Sequence, residues 1–124
     1  MPTYLLHDYL INNPQILREF QVCESSVLVS NAQTLVKTGH YNLALRMFNK
    51  AKTLNQKLDF EPEIAAAPAF IKQGEKLVKQ GKLNEAVTAY NQARKIDPAL
   101  EIPDNDFKIL CNSAYKTALN PPCP

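Results

Sequence analysis

The chain has 124 residues, of which 45% are apolar and 21% charged, with five Phe, five Tyr and no Trp. That is the composition of one globular domain rather than of a disordered segment. Three Gly against nine Pro leave hairpin-rich β architecture short of turn residues, and a net charge of +2 is too small to argue for nucleic acid.

Residues 1–13 hold His7 and Asp8 inside a short apolar stretch and have no basic leader, so they do not read as a signal peptide. No apolar run approaches the length of a membrane span. Asn13-Pro14 reads as the N-cap and first residue of a helix carrying Ile16, Leu17 and Phe20. Residues 1–24 are therefore expected to be a helical N-terminal cap or an arm, with Tyr4, Leu5, Tyr9 and Leu10 as its apolar edge.

From Tyr41 the apolar residues fall at Ala44, Leu45, Phe48, Ala51, Leu54 and Leu58, the stripe of an amphipathic helix. Phe70, Ile71, Leu77 and Val78 form a second stripe, and Ala86, Val87, Tyr90, Ala93 and Ile96 a third. Thr38-Gly39-His40, Gln80-Gly81-Lys82 and Asp97-Pro98 carry helix-stop chemistry. No period of two is sustained, so the expected class is all-α.

Self-comparison adds the organisation. Gly39-His40-Tyr41-Asn42-Leu43-Ala44-Leu45 aligns with Gly81-Lys82-Leu83-Asn84-Glu85-Ala86-Val87, and Phe48, Ala51 and Leu54 align with Tyr90, Ala93 and Ile96. Two helix–turn–helix units thus repeat at an offset of 42, which points to a helical repeat protein. Within 67–100, Phe70, Gly74, Leu77, Gly81, Ala86, Tyr90, Ala93 and Pro98 resemble the 34-residue tetratricopeptide repeat. Within 25–58, Ala32, Leu35, Gly39, Tyr41, Ala44, Phe48 and Ala51 keep that pattern, while Leu28 takes the large position and Gln56 stands where Pro is usual. The resemblance implies a right-handed α-solenoid of antiparallel helix pairs.

Eight extra residues, 59–66, separate the units as a loop or as helix extensions, with Glu63-Ile64-Ala65-Ala66-Ala67 favouring extension and Pro68 at a helix start or kink. Lengthened repeats of this size also occur in kinesin light chains, and the Gly81–Ile102 stretch resembles repeat units of larger bacterial multidomain proteins. Phe107, Leu110, Cys111 and Ala114 reproduce a first helix, N-capped by Asp104, so 104–119 is expected to be a C-terminal capping helix and 120–124 a flexible tail.

In such a solenoid the first helices line a concave groove. By resemblance its positions are Gln33, Val36, Lys37, Ile71, Lys72, Glu75, Val78, Lys79, Lys108 and Asn112, together with Ser26, Val29, Pro68, Asn105 and Tyr115. The alternatives are that Lys72, Lys76 and Lys79 are the solvated face of a helix and that Val29 or Ile71 is core, covered by the N-terminal segment. The expected function is that of a protein–protein interaction adaptor. Its partner is a protein or peptide segment with apolar anchors and some negative charge. The alternative is a self-assembling, homo-oligomeric unit that uses the N-terminal apolar segment with Tyr4, Leu5 and Tyr9, or the ends of the solenoid. Family members that grip chaperone C-termini use a set of Lys, Asn and Arg; here those positions hold Val29, Gln33, Lys72, Asn105 and Ile109, so that activity is not expected.

No catalytic, cofactor or metal site is expected. His7 and His40 are the only histidines, His40 sits in a turn, and no phosphate loop or dinucleotide fingerprint is present. The basic face of Arg46, Lys50 and Lys57 has no interleaved aromatic residue, which argues against nucleic acid. Cys23 and Cys111 fall on apolar stripes as small core residues, and Cys123 reads as an exposed thiol. Three unpaired cysteines, with neither disulfide nor zinc, suit a reducing, cytoplasmic setting.

Overall fold

The computed structural model describes residues 3–124, with side chains from His7 onward. The expectations placed on Tyr4 and Leu5 lie outside the described side chains. Among the described residues the structure is all-helical, with α1 (Thr3–Ile11), α2 (Pro14–Lys37), α3 (Tyr41–Leu54), α4 (Pro62–Ala66), α5 (Pro68–Lys79), α6 (Leu83–Ile96) and α7 (Asp104–Cys111).

Two hairpins, α2–α3 and α5–α6, carry most of the packing. Their turns are the same device. Gly39 has φ +83° and Gly81 φ +75°, a left-handed conformation that β-carbons disfavour. The N–H groups of Gly39 and His40 donate to the carbonyls of Val36 and Leu35, and those of Gly81 and Lys82 to Val78 and Leu77. Each helix end thereby satisfies its free carbonyls and reverses the chain. The equivalence extends through the second helices, 14 residues each. Asn55 and Asp97 end them, each accepting a backbone N–H two residues on.

Small residues let the paired helices approach. Ala32, Ala44, Ala86 and Ala93 are fully buried, and Phe48 and Tyr90 fill the space beside them. The first hairpin's core holds Ala32, Ala44, Phe48 and Ala66; the second holds Ile71, Val78, Val87, Tyr90, Leu110 and Leu119. Tyr41 and Phe70 stack with centroids 4.3 Å apart and join the two units. Gln73 Nε2 donates to the Gly39 carbonyl at 2.6 Å and Lys76 Nζ to the Thr38 carbonyl at 2.7 Å, so α5 also holds the first unit's turn.

Several expectations need correction. The second part of the N-terminal segment, from Pro14, and the first helix of unit one are a single 24-residue helix, because nothing between Cys23 and Ser26 breaks it, while α1 precedes it as a separate helix. Asn13 stands at the N-cap, but its side chain donates back to the Tyr9 carbonyl instead of capping α2. The second helix of unit one stops at Leu54, short of Leu58, and a loop leads to α4. Pro68 has no N–H to offer the Ile64 carbonyl, and the helix breaks at Ala67.

The C-terminus differs most. Pro103, not Asp104, is the N-cap of α7, and that helix ends at Cys111 rather than near 119. Residues 112–119 turn back instead. Leu119 is 2% exposed, Asn91 Nδ2 donates to the Ala118 carbonyl, and the Asn120 N–H donates to Asn91 Oδ1. Cys111 and Cys123 form a disulfide, so 120–124 is pinned rather than flexible. Cys23 is free but exposed, not a core residue. The premise of a reducing compartment, three unpaired thiols, does not hold. No helix among the described residues is long and apolar enough to cross a membrane.

Candidate functional site

Helical spacing brings Val29, Gln33, Val36 and Lys37 of α2 together, since i, i+4, i+7 and i+8 share one face. They line a hollow of about 520 Å³ whose other walls are Phe48 of α3, Phe60 of the α3–α4 loop and Ala65 of α4. Val29, Val36 and Phe60 are partly buried, while Gln33 and Lys37 are exposed at the rim.

The far wall comes from the residues inserted between the units. Phe60 meets the Phe48 ring edge-on, with centroids 5.2 Å apart at 66°. Lys52 Nζ donates to the Phe60 carbonyl at 2.6 Å and lies 5.5 Å from its ring centroid. A loop carbonyl with no helical partner thus acquires a charged donor, which fixes the loop against α3.

Of the ten positions assigned to the groove, the hollow gathers Gln33, Val36 and Lys37. Ile71 and Val78 are each 9% exposed, packed with Tyr90, Leu110 and Leu119, and so belong to the core rather than to a binding surface. The apolar face of α5 packs chiefly on α6, and Leu110 of α7 and Leu119 of the returning tail belong to the same cluster. Lys72 is half-exposed and pairs with Glu75 at 3.5 Å. Lys79 is exposed on α5, Lys108 is exposed on α7, and Asn112 is the exposed C-cap of α7.

Phe48, Phe60 and Ala65 were not assigned to a site by the sequence. Phe60 carried a signal: an aromatic residue in the non-helical run Asp59-Phe60-Glu61-Pro62 needs an apolar surface to rest on.

Two phenols have raised pKa values. Burial raises Tyr41, with a smaller contribution from the Glu63 carboxylate. Burial raises Tyr90 strongly, and its hydrogen bond to Asp106 adds to this. Neither lines the hollow, whose one charged side chain is Lys37. Chemically the hollow can take an apolar side chain and offer a cation to a neighbouring anion. The described residues contain no cluster of three or more His, Cys, Asp or Glu side chains suited to a metal ion.

Comparison with known protein families, with curated proteins and with solved structures returns no significant match.

Proposed function

We propose that the chain is a short, right-handed tetratricopeptide-like solenoid acting as a protein–protein interaction adaptor. Its partner is a peptide segment that places an apolar anchor in the hollow between α2, α3 and α4 and a carboxylate near Lys37. The observation that carries this reading is the hollow itself: Val29, Val36, Phe48, Phe60 and Ala65 form an apolar lining rimmed by an exposed cation. Its size lies within the usual range of ligand pockets, ~300–1,000 Å³. The repetition of both turns at the offset of 42 supports the solenoid, and Lys72 and Lys79 of α5 are the cations that a longer partner segment would meet.

A panel of peptides with an apolar anchor flanked by Asp or Glu tests this by fluorescence polarisation. Binders should lose about tenfold in affinity, ~1.4 kcal/mol, on Lys37→Glu and on Phe60→Ala. Lys72→Glu with Lys79→Glu should weaken longer peptides, and circular dichroism should show every variant folded. A panel without binders, or binders indifferent to Lys37 and Phe60, ends the reading.

A further inference from the structure

α2 is apolar on two opposite sides. One side, with Ala32 and Ser25 fully buried and Val29, Leu35 and Val36 beside Ala32, packs on the rest of the protein. The other carries Ile16, Phe20, Cys23 and Val27. Ile16 is 40% exposed, Phe20 46% and Val27 56%, and the Cys23 thiol is free. At 100° per residue these four positions fall within an arc of about 60°, roughly opposite Ser25 and Ala32. A helix that buries one stripe and leaves another apolar stripe in water lacks a neighbour.

The spacing identifies the kind of neighbour. Steps of four, three and four residues are those of a coiled-coil seam, in which apolar residues recur every 3.5 positions on average. The next positions in the series, Ser30 and Thr34, are polar, so the seam ends at Val27. α2 has 24 residues against 14 in α3, so its N-terminal part outruns its hairpin partner.

We propose that the occupant is a second copy of this chain, bound antiparallel through Ile16, Phe20, Cys23 and Val27 about a two-fold axis. With the axis between positions 21 and 22, Phe20 meets Cys23 of the second copy and Ile16 meets its Val27, so large residues lie against smaller ones. Charge selects the direction. Glu19 and Glu24 flank the seam on its two sides. A parallel pair sets Glu19 against Glu24 of the second copy along both edges, whereas the antiparallel pair sets Glu19 beside Ser26 and Glu24 beside Leu17. The surface lies elsewhere on α2 from the hollow, so neither proposal depends on the other.

Sedimentation equilibrium on the full chain at about 100 μM is the test, with a mass of twice 13.9 kDa expected. Phe20→Glu and Val27→Glu should each return the monomer with unchanged helical circular dichroism. A monomeric wild type, or a dimer unaffected by both substitutions, overturns the proposal. For direction, Ile16→Cys and Val27→Cys are combined with Cys23→Ser, and the oxidised dimer is mapped by peptide mass. Cross-links from 16 to 27 support the antiparallel pair; links from 16 to 16 and from 27 to 27 overturn it.

Discussion

Gly74 on α5 faces the ring of Tyr90 on α6 so closely that a β-carbon on Gly74 would lie 2.5 Å from the ring. The equivalent pair one repeat earlier is Ala32 and Phe48, where the methyl is accommodated with both residues buried. The difference is the phenol. Tyr90 hydroxyl donates to Asp106 of α7, and this tether holds the ring against α5. Gly74→Ala should therefore cost about 1–3 kcal/mol, as overpacking does. In the Tyr90→Phe background the ring is released, and the added cost should be smaller. Urea denaturation of the four proteins of this cycle measures the coupling. Equal costs in both backgrounds would show that the tether does not set the approach.

The same tether makes stability depend on pH at the alkaline end. Folding raises the Tyr90 pKa above its ordinary value of 10.0, through burial first and the Asp106 hydrogen bond second. Between the unfolded and folded values the native state binds more protons than the unfolded one, so stability falls as pH rises. The contribution is fully present below about pH 10 and is lost progressively as pH rises from there through the higher folded-state value. Tyr41, also raised by burial, adds a slope of the same sign. The urea midpoint should begin to fall near pH 10, and Tyr90→Phe should flatten that fall while lowering stability at neutral pH. A wild-type slope preserved in Tyr90→Phe would assign the effect to other groups.

What the sequence made legible was local. Thr38-Gly39-His40 and Gln80-Gly81-Lys82 announce their turns because only Gly takes the left-handed angle without strain, and the 42-residue offset follows from aligning them. The start of the first repeat at 25 carried no such mark: Glu24-Ser25-Ser26 holds no breaker, and α2 runs through it. Ile71 and Val78 belong to the core and not to the groove that the resemblance implies, because a stripe tells which residues share a face and not what covers it. Here Leu110 and Leu119 complete the cluster, and Leu119 arrives by a chain reversal that no periodicity announces. The hollow was half legible for the same reason. Val29, Gln33, Val36 and Lys37 were implied by the resemblance, and helical spacing sets them on one face, whereas Phe60 depends on the contact of a loop with Phe48 and Lys52.

The disulfide between Cys111 and Cys123 closes that reversal, which makes the C-terminal segment sensitive to reductant. The two cysteines are separated by 12 positions, too far for a short motif, and meet because α7 ends at Cys111 and the chain returns along α6. Closing a loop of this length removes ~3 kcal/mol of unfolded-state entropy in the chain-entropy account. Cys123→Ser should therefore lower stability by about 2–3 kcal/mol. The denatured chain should titrate one thiol, Cys23, before reduction and three after it. Trypsin reports the structural consequence. Lys116 lies between the bridge and the Asn91 contacts to Ala118 and Asn120, and reduction should speed its cleavage. Asn91→Ala should have the same effect in smaller measure with the bridge intact, because it removes the second anchor of the same segment. Three titratable thiols in the unreduced chain would show that the bridge does not form. Equal cleavage of oxidised and reduced protein would show instead that the Asn91 hydrogen bonds and Leu119 burial suffice to hold the tail.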